Sequence, residues 1–326
     1  MKKTLLKTMY NFGAFAPFRW ANRENVLILT YHRFSREKTA SKISSEEFEA
    51  HLEYLSKNNR VLPLSETIEY LQNGKTLPPN TTVITIDDGY KDAYEIALPL
   101  LKKFDFPATV YAITDFLDAK CWLWTDLMRY VLLNTKENAL KIEFSETDKI
   151  ETDLTGETKR LETATCLNSR LKKLPNEQKD TKIKEIAKDL QVEIPALPVA
   201  DFAPMDWSEA REMDAENVKI ESHTVTHPIL TNIAAKKLEF EMQTSKKRLE
   251  EVLNRQIEHF CYPNGSFNEN ARNAAVFAGY KSATTTNYGF NNRGTDKFLL
   301  KRIDAQSAIE NFAQSASGFE AIRNKF

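Results

Sequence analysis

Uninterrupted apolar runs alternate along the chain with segments whose apolar positions recur every three to four residues. The runs predict strands buried on both faces, and the periodic segments predict amphipathic helices. Residues 26–31, 83–86 and 108–113 read as strands. Between the first two, Ser45-Glu46-Glu47-Phe48 opens a helix that carries Phe48, Leu52 and Leu55 along one face. Residues 94–104 predict another helix, kinked at Pro99.

The rhythm breaks near Phe116 and resumes after Pro204. The intervening stretch is charge-rich and predicts helices over 124–133, 159–171 and 180–190, with short strands at 141–144 and 149–154. Pro195, Pro198 and Pro204 close it. Strand-helix units then return: helices over 207–213, 234–253 and 268–278, and strands over 218–222, 257–262 and 280–285. The expected fold class is α/β, a distorted (β/α) barrel with an inserted α+β subdomain, and an open doubly wound sheet is the alternative. The expected division is a helical segment at 1–25, a barrel from 26–117 and 205–326, and an insertion or lid at 118–204.

Composition narrows the function. Among 326 residues, 45 basic side chains face 46 acidic ones. That balance argues against a nucleic-acid partner, which needs a concentrated basic face. Three cysteines without CxxC spacing fit neither a disulfide framework nor a zinc knuckle, and suit a reducing compartment. The N-terminal apolar run is broken by Lys7, Asn11 and Pro17, so it lacks a signal-peptide core and is too short to span a bilayer. The expectation is a cytoplasmic protein whose N-terminal helix packs on the domain, with weak peripheral contact at the inner face of the membrane.

Two segments carry the chemistry. Asp87-Asp88-Gly89 ends the strand around 83–86, and two adjacent aspartates share one cavity only if the backbone turns there. Taken alone, an exposed Asp-Gly turn explains them equally well. His223 and His227 follow the strand at 218–222, and a spacing of four puts two imidazoles on one face of a helical turn, where they can grip one metal. Alone, that pair fits helix-cap or surface roles as readily. Together, the segments favour an Asp/His/His site for a divalent metal, zinc (Zn2+) by its ligand types.

Thr85-Ile86-Asp87-Asp88-Gly89 and Ser222-His223-Thr224-Val225-Thr226-His227 resemble the first two motifs of the polysaccharide deacetylases of carbohydrate esterase family 4, the NodB-homology domain. The resemblance spans about residues 26–116 and 205–304, leaving the insertion outside it. It implies hydrolysis of the acetamido group of an N-acetylated glycan (free, polymeric or lipid-linked), with release of acetate. It also implies Asp87 as general base and Asp88, His223 and His227 as metal ligands.

The third motif departs from the family pattern. In Phe260-Cys261-Tyr262-Pro263-Asn264-Gly265, Cys261 takes the place of the usual arginine and Asn264 that of an aromatic residue. The Asn264 backbone N–H remains a candidate oxyanion donor, and Pro263-Asn264-Gly265 is equally a tight turn. The late Leu-x-His that commonly supplies the acid is missing, since no histidine follows His259. His32, at the end of the first strand, is the expected acid, as in relatives that resemble a permuted barrel. Arg302 is the candidate to reach Asp87 in place of the motif arginine, against an equal case for a surface salt bridge. Asp304 is a candidate to orient His32. His51 and His259 are read as structural, and Trp122, Trp124 and Trp207 as packing residues. A metal-dependent amidase acting on a non-sugar amide and a sugar-binding protein with a decayed site are the rival readings.

Overall fold

Seven parallel strands close into a barrel: β1 Leu27–Tyr31, β2 Thr81–Asp88, β3 Ala108–Ala112, β4 Val218–Ser222, β5 His259–Cys261, β6 Ser282–Tyr288 and β7 Leu300–Asp304. The computed structural model describes residues 2–73 and 76–320. The strands run β1-β2-β3-β4-β5-β6-β7 around the barrel, and β7 pairs with β1 through Leu29 with Ile303 and Thr30 with Asp304. The barrel rather than the open sheet is therefore the fold. Every residue of β1, β2 and β3 is buried, because one face meets the barrel interior and the other the surrounding helices.

Alternation sorts the side chains. Ile28, Val83, Tyr111, Cys261 and Leu300 form one small cluster within the barrel. Their neighbours Leu27, Leu29, Ile84, Ile86, Val110 and Phe260 join the larger cluster beneath the helices. Asp87 and Arg302 continue the inward series of β2 and β7, which aims both into the barrel mouth. The helix at Ser45–Asn58 starts where the sequence predicts, with a capping box in which Ser44 accepts from the Glu47 N–H and Glu47 accepts from that of Ser44. The kink expected at Pro99 takes the form of a π-helical stretch, Ala93–Ala97, running into the α-helix Leu98–Lys103. Its wider turn tolerates the N–H that proline lacks.

Within residues 118–204, helices Trp124–Asn134, Glu157–Leu171 and Asn176–Asp189 accompany an antiparallel hairpin of Ala139–Glu143 and Lys149–Asp153. They gather around a second core that includes Met128, Val131, Leu140, Leu167 and Ile186. Ile229, two residues beyond His227, packs into that core and ties it to the barrel mouth. At the N-terminus, helices Lys2–Asn11 and Ala16–Ala21 lie against the helix Ile309–Ser317. Among the described residues, no helix is long and apolar enough to cross a membrane.

Candidate active site

Asp87 and Asp88 are the last two residues of β2, and successive strand side chains should diverge. They share the barrel mouth because Asp88 takes φ +78° and Gly89 follows at +87°. The turn therefore begins on the aspartate itself, rather than on the glycine as the sequence suggests. That positive φ is what calls for glycine, and a Cβ there would also stand 2.8 Å from Leu117 Cδ1, so the leucine side chain would have to shift.

Arg302 reaches from β7 and clasps Asp87, Nη1 to Oδ1 and Nη2 to Oδ2, both at 2.7 Å. It is held in turn by the Thr285 carbonyl at 2.9 Å and the Thr85 hydroxyl at 3.2 Å, and its Nη2 lies 3.1 Å from Cys261 Sγ. The pair is buried, so the surface salt bridge weighed for Arg302 is not what forms. Burial opposes ionisation of Asp87, but Arg302, aided by His32 and His223, outweighs it and holds the carboxyl well below the usual range. His32 Nε2 stands 3.7 Å from Asp87 Oδ2 with its side chain 48% exposed, open to solvent where Asp87 is not.

His223 and His227 also converge, though not on a helical turn. The segment after β4 is irregular, with Thr224 at φ +74° and His227 at +55°. A buried carboxylate holds it: Glu241 accepts from the N–H groups of Val225 and Thr226, both at 2.9 Å, and from the Thr226 hydroxyl at 2.7 Å. Lys237 pairs with Glu241 at 2.9 Å. Sequence reading missed Glu241. The signal was present, because it falls on the same helical face as Leu238, Met242, Ser245 and Leu249, where a charge needs a buried partner.

The His223 Nδ1–H donates to the Cys261 carbonyl at 2.7 Å, which leaves the Nε2 lone pair free. That Nε2 is 3.6 Å from Asp88 Oδ1, and His227 Nε2 is 3.7 Å from the same oxygen. Burial lowers the pKa of both imidazoles and keeps them neutral, while it drives the Asp88 carboxyl up to about 7. Three ligand atoms within 4.8 Å of one another, too far apart for hydrogen bonds, fit a shared cation at ordinary ligand distances of about 2.0–2.2 Å. Asp87, His223 and Cys261 form a second such group. Arg302 already engages both oxygens of that carboxylate, and burial keeps the Cys261 thiol protonated, so the Asp88 set is the better fit.

Asn264 lies in the turn Pro263–Gly265 just past β5, itself at φ +54°, with its side-chain Nδ2 buried and lacking a hydrogen-bond partner. Asp304 is exposed, and among the described residues no hydrogen bond joins it to His32. His51 is stacked on Phe312 at 3.9 Å between ring centroids, and His259 Nδ1 contacts the Ser282 hydroxyl at 2.9 Å; both lie apart from the Asp88 cluster. Trp124 belongs to the second core, while Trp122 and Trp207 donate to the Pro195 carbonyl and to Asp118. A group that sequence reading did not single out adjoins the site. Arg33 pairs with Asp92 at 2.8 Å and covers the Tyr90 ring, and the Tyr90 hydroxyl donates to Asp126 at 2.6 Å.

The family model described as polysaccharide deacetylase matches residues 74–195 and 196–283. YxkH of Bacillus subtilis (strain 168), which bears that family's name, is 23% identical over 290 residues, covering 89% of this chain and 74% of that protein. The poly-beta-1,6-N-acetyl-D-glucosamine N-deacetylase of Staphylococcus epidermidis is 29% identical over 111 residues, which make up 29% of this chain and 38% of that one. Among solved structures, the Streptococcus pyogenes deacetylase PplD in complex with acetate matches with a TM-score of 0.61 at 18% identity, over 90% of this chain and 99% of that one. IcaB from Ammonifex degensii matches with a TM-score of 0.59 at 17% identity, over 90% and 97%. At such identities the likeness is one of fold.

Proposed function

The chain belongs to the polysaccharide deacetylase family, and we propose that it removes the acetyl group from an N-acetylated sugar of an oligo- or polysaccharide with the help of a divalent metal. One observation carries this reading: Asp88, His223 and His227 present three ligand atoms to one point at the barrel mouth, beside an Asp87 kept ionised by Arg302. Zinc suits two imidazoles and a carboxylate. When bound, such an ion lowers the pKa of a water and polarises the amide carbonyl.

The chain's own groups do the rest. Asp87 accepts a proton as the water oxygen bonds to the acyl carbon, and Arg302 fixes the orientation of its carboxylate. The backbone N–H of Asn264 donates to the oxyanion that develops. His32 protonates the sugar nitrogen as the C–N bond breaks, because an amide nitrogen leaves poorly as an anion. Its exposure lets it recover a proton from solvent. The products are acetate and a free amine. Residues 118–204 act as a lid or accessory subdomain, joined to the barrel mouth through Ile229.

The test is acetate release from N-acetylglucosamine oligomers and from simple acetamides, by chelator-treated protein with and without added zinc. Release from the oligomers that needs the metal and is abolished by His223→Ala is expected. Turnover of the simple amides alone would move the protein to the amidase class. Failure to bind any divalent metal would sink the reading altogether.

A further inference from the structure

The two N-terminal helices keep apolar residues on the outside, where burial has no use for them. Leu6 and Phe15 anchor the pair in the core, with Met9 and Tyr10 packed partly against it. On the other side, Leu5 is 60% exposed, Phe12 85% and Trp20 67%. Leu5 and Phe12 are seven residues apart. The Phe12 N–H still bonds the Thr8 carbonyl at 3.1 Å, so Phe12 continues the helical register and the two side chains share one stripe. Both helices rest on the same supporting helix, Ile309–Ser317.

Charge follows the same segment. The first 23 positions hold five basic residues (Lys2, Lys3, Lys7, Arg19 and Arg23) and no acidic one, in a chain whose net charge is −1. Lys7 is exposed on the first helix, and Arg23 lies 4.3 Å over the Trp20 ring. Exposed large apolar groups flanked by cations, on helices too short to span a bilayer, match the physical profile of an interfacial anchor. A tryptophan at the edge of such a surface suits the headgroup layer, where its ring is part apolar and part polar. A protein partner would call for a packed, largely uncharged contact centre, whereas this surface mixes isolated apolar tips with a basic excess that Glu24, 3.5 Å from Arg23, only partly offsets.

We propose that this helical pair docks the protein on the surface of an anionic phospholipid bilayer, with Leu5, Phe12 and Trp20 entering the headgroup boundary. The full chain is sedimented with vesicles of phosphatidylcholine alone and of phosphatidylcholine containing phosphatidylglycerol. The expected result is binding to the anionic vesicles that weakens with salt and falls at least ten-fold on neutral ones, since each basic residue near the surface contributes roughly five-fold. Leu5→Ser/Phe12→Ser/Trp20→Ser should abolish sedimentation, and Lys7→Glu should weaken it about five-fold or more. Acetate release from a dissolved substrate should be unchanged in both, which separates this inference from the catalytic one. Equal binding by wild type and the triple variant, or no binding at all, would overturn it. So would a wild-type dimer in sedimentation velocity that the triple variant splits, because the surface would then belong to a second copy of the chain.

Discussion

Arg302 meets both carboxylate oxygens of Asp87 at 2.7 Å while its Nη2 touches Cys261 at 3.1 Å. The thiol's small volume explains the arrangement. An arginine on β5 would fill the space that Cys261 leaves for the guanidinium arriving from β7, two strands away. The clasp is buried, so removing one partner strands a charge. Arg302→Met should destabilise the fold by about 3–5 kcal/mol in urea unfolding, and combining it with Asp87→Asn should return much of that loss. Additive single and double variants would show that the two residues do not depend on each other.

His32 differs from the metal-site histidines in being half exposed, 3.7 Å from Asp87 and outside the Asp88 cluster. As proton donor it should matter for turnover and not for metal retention. His32→Gln is expected to lower kcat about 10²–10⁴-fold, within the range for loss of a general acid, with bound metal unchanged. His223→Ala should lose both. Metal content and acetate release measured on the same preparations separate the cases, and a His32 variant with near-normal kcat would remove it from the mechanism.

The strands and the two pairs of chemical residues were legible because apolar runs and strand-end polar residues are local signals. Asp87-Asp88-Gly89 and His223/His227 pair on the sequence alone, as strand-end residues of complementary ligand type. The geometry that unites them was not legible. A spacing of four suggests a helical turn, but the imidazoles converge through left-handed backbone at Thr224 and His227, in a loop held by the Glu241 carboxylate, 15 and 16 residues beyond the Thr226 and Val225 it binds. Arg302 remained undecided for the same reason. Whether it meets Asp87 or a surface carboxylate depends on β7 closing the barrel against β1, which is a long-range pairing.

Glu241 offers a test of that loop. Its two oxygens take three hydrogen bonds from Val225 and Thr226, between the two histidines. Glu241→Ala should loosen the loop without touching a ligand atom, and weaken zinc binding about 10–100-fold as supporting-residue changes do. Glu241→Gln keeps the shape but can offer only one carbonyl oxygen, so an intermediate loss is expected. Competition titration against a chromophoric chelator reads both, and wild-type affinity in Glu241→Ala would show that the loop holds itself.

His51 sets a pH dependence of stability that lies away from the catalytic groups. Burial against Phe312 lowers its pKa to about 4, only partly offset by the Ser307 carbonyl near Nε2, whereas an unfolded chain restores about 6.5. Between those values the unfolded state binds the extra proton, so folding stability rises with pH across the window. The contribution is fully present above about pH 6.5 and is lost as pH falls towards 4, by up to about 3 kcal/mol. His51→Gln carries no such titration. Its stability, though lower at neutral pH for want of the ring stack, should fall less steeply than that of wild type on acidification. Urea unfolding of both proteins at about pH 7 and about pH 5 measures the difference, and parallel losses would mean that His51 takes up its proton without unfolding the chain.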